Sequence, residues 1–217
     1  MSISVFLADD HTVVRDGLKL LLESQPDIKV VGDAPDGRLA LQQLERLRPD
    51  VAILDIAMPG LNGIEITEQL KQVAPITKVV ILSMHSTPEH IYRALQAGAR
   101  GYLLKESAGQ EVVKAVRSVQ GGRRYLSEEI SDQVINGFIR HGKETAEESP
   151  LERLSIRERE ILQLVVEGKS SAQIAKILFL STKTVETYRS RLMQKLGIGD
   201  LPGLVKFAIQ HGLTPIK

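Results

Sequence analysis

Apolar and polar positions alternate with two different periods along the first 120 or so residues. Short aliphatic and β-branched runs at 3–8, 29–33, 51–54, 78–82 and 101–104 predict strands. Between them the spacing turns helical. Val14, Leu18, Leu21 and Leu22 lie on one stripe, and Leu39, Leu41, Leu44 and Leu47 on a looser one. Further helical segments fall near 64–73, 89–97 and 110–119. The run Val51, Ala52, Ile53, Leu54 is apolar throughout, as a strand covered on both faces should be. Five strands alternating with five helices predict an α/β fold with a five-stranded, doubly wound parallel sheet.

The remainder of the chain loses the strand period. Ser127 reads as the N-cap of a connecting helix through residue 140, with Glu128 and Glu129 in its first turn. The stretch 141–150, HGKETAEESP, has almost nothing to bury and reads as a linker. Four short helical patterns follow, at 156–166, 171–178, 182–196 and 201–211, with Gly168, Gly197 and Gly212 placed as C-terminal stops. The expected organisation is an α/β domain at 1–124, a helix and flexible linker at 125–150, and an all-α four-helix domain at 151–217.

Charge follows the same division. Residues 1–125 balance 15 Lys+Arg against 15 Asp+Glu, residues 126–150 carry 2 against 6, and residues 151–217 carry 11 against 6. The basic last segment is the candidate nucleic-acid surface, with a solvated basic face as the alternative. With 42% hydrophobic residues the chain is ordinary for a globular protein, and with no cysteine it has no disulfide, thiol nucleophile or Cys-held metal. No run approaches the roughly 18 apolar residues of a membrane span. The start MSISVFLADD reaches two acids too early for a signal peptide, so a cytoplasmic, membrane-free location is expected.

Three carboxylates sit at strand ends: Asp9 and Asp10 after the first strand, Asp55 after the third. In an open parallel sheet these ends converge where the strand order switches. Clustered like charges there call for a cation, and hard oxygen donors suit Mg²⁺. Ser83 and Lys105 end the fourth and fifth strands at the same edge. A carboxylate nucleophile, a metal, an ammonium and a hydroxyl are the parts that phosphoryl transfer uses. Asp55 is the nucleophile of choice, because Asp9 and Asp10 form the metal-holding pair. Asp10 alone would serve equally as a helix cap. The five His residues form no pair at i,i+4, and surface or capping roles are expected for them.

Asp9–Asp10, Asp55 followed by Met58–Pro59–Gly60 and Gly63, and then Ser83, Tyr102 and Lys105 resemble the receiver domain of bacterial two-component response regulators. The resemblance implies a flavodoxin-like sheet and phosphorylation of Asp55 by a sensor histidine kinase. It implies Mg²⁺ bound directly by Asp10, Asp55 and the Ala57 carbonyl, with Asp9 acting through water. It also makes Ser83 and Tyr102 a switch pair: a phosphoryl group on Asp55 attracts the Ser83 hydroxyl and leaves room for the Tyr102 ring to turn in. Receivers commonly carry proline after the lysine; Glu106 stands there, so a trans peptide is expected.

In the last domain, Ser155 followed by Glu158 has the form of a capping box. Ser171 begins a second helix, and Phe179–Leu180–Ser181 makes a short turn into a third, a helix-turn-helix arrangement. On the third helix Val185, Leu192, Met193 and Leu196 form the inner stripe. Glu186, Thr187, Ser190, Arg191 and Gln194 form the outer side, backed by Arg189. Short polar residues among arginines suit entry into a major groove; a surface helix of a protein–protein module is the alternative. The stretch 154–198 resembles the LuxR-type helix-turn-helix, and a receiver followed by it resembles the NarL/FixJ family of transcription regulators.

The resulting expectation is a regulator rather than an enzyme. Asp55 accepts the phosphoryl group with Lys105 and Ser83 beside it, and Lys183, Thr184, Glu186, Thr187, Arg189, Ser190 and Arg191 face double-stranded promoter DNA. A Mg²⁺-dependent aspartyl-phosphate phosphatase with a helical accessory domain is the rival, separable by whether a small phosphoester is turned over. Homodimerisation on phosphorylation is expected, with RNA polymerase as a further candidate partner. The segment 201–211, with Leu204, Val205 and Ala208 on one side, serves either that dimer or packing within the domain.

Overall fold

The computed structural model describes residues 2–141, 150–211 and 213; the linker 142–149 and the stop at Gly212 lie outside them. The chain divides into two compact units, residues 1–145 and 146–217. In the first, β1 (Ile3–Ala8), β2 (Ile28–Ala34), β3 (Val51–Asp55), β4 (Lys78–Ser83), β5 (Gly101–Leu104) and β6 (Tyr125–Leu126) form one sheet in the order β2-β1-β3-β4-β5-β6. All five pairings are parallel.

Alternation along each strand sends side chains to two cores. Val5, Leu7, Val51 and Ile53 meet Leu18 and Leu22 of α1 (Thr12–Glu23) and Val112, Val116 and Val119 of α5 (Ala108–Gln120). Phe6, Ala52 and Leu54 meet Ala40 and Leu44 of α2 (Gly37–Leu47), Ile66 and Leu70 of α3 (Gly63–Val73), and Ile91 and Ala94 of α4 (Pro88–Ala97). β3 and β5 are buried along their whole length, and polar residues collect at the C-terminal end of the sheet.

The sheet has six strands, not five. Tyr125 and Leu126 pair with Gly101 and Tyr102. Two residues inside GGRRYLS carry no period, so the sequence has no strand signal there. α6 (Glu128–His141) follows, and Ile130 is fully buried in the core with Ala94 and Tyr102. β6 and the start of α6 therefore belong to the sheet's own packing, in a stretch that the sequence assigns to the linker. Ser127 precedes α6 as expected, but its buried hydroxyl has no hydrogen-bond partner among the described residues. At the other end of the sheet, the helix after Asp10 takes His11, not Asp10, as its N-cap.

The second unit opens with a single 3-10 turn, Pro150–Arg153, followed by α7 (Ile156–Val166), α8 (Ser171–Leu178), α9 (Thr182–Leu196) and α10 (Leu201–Gln210). Leu151, Ile161, Leu162, Ile174, Leu178, Val185, Leu192, Leu204 and Ala208 make its core. Ser155 and Glu158 form the expected capping box, and Ser170 with Gln173 forms a second one. Gly168 (φ 81°) and Gly197 (φ 66°) take the left-handed conformation that ends a helix. Phe179 does the same at φ 55° in the turn before α9, an uncommon conformation for a residue with a Cβ.

Glu158 also reaches across the unit, its carboxylate 2.7 Å from Lys195 Nζ on α9. Burial pushes this carboxyl up, but hydrogen bonds from Lys195 and from Ser155 outweigh burial and hold it below the usual range. A depressed carboxyl stabilises the fold above its unfolded value, and that contribution disappears as pH falls through the folded one. Glu158→Ala is expected to weaken the second unit by about 1–2 kcal/mol, mostly as lost capping, because half-exposed Lys195 adds little. Hydrogen exchange of α7 and α9 amides in the full chain measures it, and the variant's deficit should shrink in acid below the usual carboxylate range.

Candidate functional site

Four strand ends build the pocket of the first unit. β1 delivers Asp9 and Asp10, β3 ends on Asp55, β4 on Ser83, and Lys105 follows β5. β1 and β3 are neighbours with β2 on the far side, so the carboxylates meet at the switch in strand order. Asp9 and Asp55 are buried and Asp10 half-buried. Lys105 Nζ lies 2.8 Å from Asp9 Oδ2 and 2.8 Å from Asp55 Oδ2. The Ala57 N–H points to Asp55 Oδ1 at 3.3 Å.

Burial pushes the Asp55 carboxyl up to about 6; Lys105 opposes the shift and the charge of Asp9 adds to it. Burial also opposes the charge on Lys105, but Asp55 and Asp9 prevail and raise it. Three carboxylates against one ammonium leave an excess of negative charge that a divalent cation would neutralise. Donor atoms of Asp9, Asp10, His11 and Asp55 lie within 4.8 Å of one another, a spacing that fits a single metal ion.

His11 is the pocket residue that sequence reasoning missed. Its Nδ1 lies 2.7 Å from Asp10 Oδ1 and 3.2 Å from Asp9 Oδ1. Of the surface or capping roles expected for the histidines, His11 has the exposure and the N-cap position, but its side chain makes no hydrogen bond to the helix it precedes. Its place directly after the acid pair was the available signal.

Ser83 is fully buried, and its Oγ accepts from the His85 N–H at 2.9 Å. The Tyr102 hydroxyl donates to the His85 carbonyl at 2.7 Å, and burial pushes it up to about 12. Both switch candidates thus converge on one residue of the loop after β4. The Tyr102 ring is already fully buried. The inward position that the sequence reading ties to phosphorylation is the one found here, where the hydroxyl has an internal acceptor and the ring packs into the core. No cis peptide occurs among the described residues, Lys105–Glu106 included.

Gly63 opens α3 against the end of β3. A Cβ there would stand 2.2 Å from the Asp55 carbonyl oxygen, which cannot move without moving the strand end. Gly63→Ala is expected to cost about 1–3 kcal/mol as an overpacked backbone contact. Faster hydrogen exchange in β3 checks it.

In the second unit α9 separates as its pattern predicts. Val185 and Leu192 are buried, Met193 and Leu196 pack against the core, and Lys183, Glu186, Thr187, Ser190, Arg191 and Gln194 are exposed. Ser181 caps the helix by accepting from the Thr184 N–H at 3.0 Å. A shallow groove is lined by Ser181, Lys183, Thr184, Thr187, Tyr188 and Arg191. Thr184 is half-buried, its Oγ1 2.7 Å from Ser181 Oγ. Arg189 stands apart from the outer face: it is half-buried and donates to Ser171 Oγ at 3.0 Å, bracing α9 against α8. On α10, Leu204 and Ala208 belong to the internal core, while Val205 lines an apolar groove with Leu201, Pro202, Lys206, Ile209 and Gln210.

The response regulator receiver domain family matches residues 5–117, just over half of the chain, and the luxR family of bacterial regulatory proteins matches residues 152–208. The chain belongs to the NarL/FixJ-type response regulators. This regulator is 37% identical over 212 residues to the oxygen regulatory protein NreC of Staphylococcus carnosus (strain TM300), across 96% of this chain and 98% of that one. It is 37% identical to the response regulator ChrA of a heme-sensing two-component system, with a TM-score of 0.52 over 98% of each chain. RcsB of Salmonella enterica serovar Typhimurium, bound to promoter P1flhDC in the presence of the phosphomimetic BeF3⁻, is 29% identical with a TM-score of 0.61, over 99% of this chain and 100% of that one. The regulator combines a receiver with a LuxR-type DNA-binding domain and controls transcription in a phosphorylation-dependent way.

Proposed function

We propose that Asp55 is the phosphoacceptor and a sensor histidine kinase the donor. One carboxylate oxygen of Asp55 attacks phosphorus, the bond from phosphorus to the donor's histidine nitrogen breaks, and the imidazole leaves. The observation that carries this reading is the buried Asp55 carboxylate with Lys105 Nζ at 2.8 Å and three further donor groups around it. Lys105 holds the phosphoryl oxygens by charge, and Ser83 turns its hydroxyl from the His85 N–H toward one of them. The carboxylates of the donor set fit Mg²⁺, which Asp10, Asp55 and the Ala57 carbonyl would hold, with Asp9 acting through water. When bound it supplies neutralisation of the phosphoryl charge. The chain takes up one phosphoryl group instead of turning over a phosphoester, so it acts as a regulator and not as an enzyme.

The signal leaves through Ser83 and Tyr102, whose hydrogen bonds both end on His85. Moving Ser83 shifts that loop, and Tyr102 responds as a packing change. The output is promoter DNA bound in the cytoplasm. Lys183, Thr184, Glu186, Thr187, Ser190 and Arg191 contact the duplex, Arg189 braces α9 behind them through Ser171, and RNA polymerase is a further partner. The apolar groove on α10 supports a homodimer spanning two half-sites. The working division is a receiver that runs through β6 and the start of α6, a linker after it, and a DNA-binding domain at 151–217. The test is operator affinity of the full chain at one salt concentration with and without phosphorylation. Phosphorylated protein is expected to bind more tightly, and equal affinities would refute the switch.

A further inference from the structure

The acidic pocket contains one side chain to which the phosphoryl chemistry gives no task. The His11 ring is 62% exposed, yet its Nδ1 is turned inward to lie 2.7 Å from Asp10 Oδ1 and 3.2 Å from Asp9 Oδ1. The helix does not hold it there; Nδ1 meets Asp9 Oδ1 in a hydrogen bond. His11 occupies the N-cap of α1, but its side chain caps no amide. The turn is closed instead by the His11 backbone N–H on Asp9 Oδ1 at 2.8 Å. The ring therefore faces the carboxylates for a reason other than the helix. Its donor nitrogen also falls inside the group whose ligand atoms lie within 4.8 Å of one another.

An imidazole changes what such a pocket prefers. Carboxylates and carbonyls alone suit hard cations, whereas imidazole favours borderline metals such as Co²⁺ and Zn²⁺ over Mg²⁺. Lys105 already neutralises the Oδ2 atoms of Asp9 and Asp55. The uncompensated charge lies toward Asp10, where His11 stands. A ring this exposed can rotate onto a metal with little loss of packing, and it keeps Nε2 in water.

We propose that His11 Nδ1 is a ligand for a borderline divalent cation, so that this pocket binds Co²⁺ or Zn²⁺ through mixed nitrogen and oxygen donors. With Mg²⁺ the imidazole stays beside Asp10, its Nδ1 in the hydrogen bond with Asp9 Oδ1. The proposal rests on the reading of this pocket as the metal site for phosphorylation of Asp55. It means that the metal which loads the receiver depends on residue 11.

The test is calorimetric titration of the full chain with Co²⁺ and with Mg²⁺, for wild type, His11→Ala and His11→Asn, together with the visible spectrum of bound Co²⁺. Neither substitution removes a side-chain cap, so the fold is retained. Both variants are expected to lose Co²⁺ affinity by a factor on the order of ten or more. Their Mg²⁺ affinity should change by less than about twofold, because the hard ion keeps its oxygen donors. The Co²⁺ spectrum should move to that of an all-oxygen site. Equal losses for both metals would make His11 a residue that only orients Asp10, and unchanged affinities with an unchanged spectrum would remove it from the site; either overturns the proposal. Mg²⁺-dependent labelling of Asp55 in wild type by a small phosphodonor separates the two levels. Labelling without the metal preference sinks the role of His11 alone, whereas a wild type that binds neither cation sinks the pocket reading as well.

Discussion

Replacing Asp55 with Asn is expected to abolish phosphoryl labelling while leaving the sheet intact. The amide matches the carboxylate in size but lacks the anionic oxygen that attacks phosphorus. Neither Asp9 nor Asp10 should substitute, because Asp9 is fixed by Lys105 and by the His11 N–H, and Asp10 sits on the rim beside His11. Mass spectrometry after incubation with Mg²⁺ and a small phosphodonor checks it, and full labelling of the variant would overturn the assignment.

The same substitution has a signature in stability. Burial raises the Asp55 carboxyl from 3.8 to about 6, so the folded protein binds that proton more readily than the unfolded chain. The contribution of Asp55 is therefore complete below 3.8 and lost as pH rises through about 6. In metal-free protein, Asp55→Asn should remove this pH dependence and stabilise the receiver above that range. The gain is on the order of 1–3 kcal/mol, reduced from the full shift because Lys105 loses one partner. Hydrogen exchange of β3 across the window follows it.

The second large effect falls on DNA binding. Lys183 and Arg191 are exposed on the groove side of α9, where cations reach phosphates. Alanine at either should weaken binding to operator and random duplex alike and flatten the log–log salt slope by about 0.9. Arg189→Ala should flatten it less, since that guanidinium is half-buried and engaged with Ser171. Glu186→Ala should leave the slope and change preference, by about 1–3 kcal/mol at one base pair, consistent with a carboxylate that accepts from a cytosine amino group. Unchanged slopes in both the Lys183 and Arg191 variants would reject this docking face.

Where the chain repeats a period over several residues, its sequence alone determined the outcome. The unbroken apolar run of β3 and the succession of strands and helices foretold a sheet covered on both faces, and the stripe Val185, Leu192, Met193, Leu196 foretold which side of α9 is buried. The acid pair, Asp55, Ser83 and Lys105 were legible as a pocket because parallel topology delivers every strand end to one edge. What tertiary structure alone decided depends on partners distant in sequence. β6 exists because the edge of β5 is there to pair with two residues that have no pattern of their own. Arg189 leaves the outer face because Ser171 on another helix offers an acceptor. Tyr102 lies inward because the His85 carbonyl receives its hydroxyl inside the fold. His11 joins the pocket through the direction of its side chain, which helix periodicity does not specify at an N-cap. Local pattern sets which face of an element is apolar; the orientation of single polar side chains is set by acceptors that only the packed chain brings near.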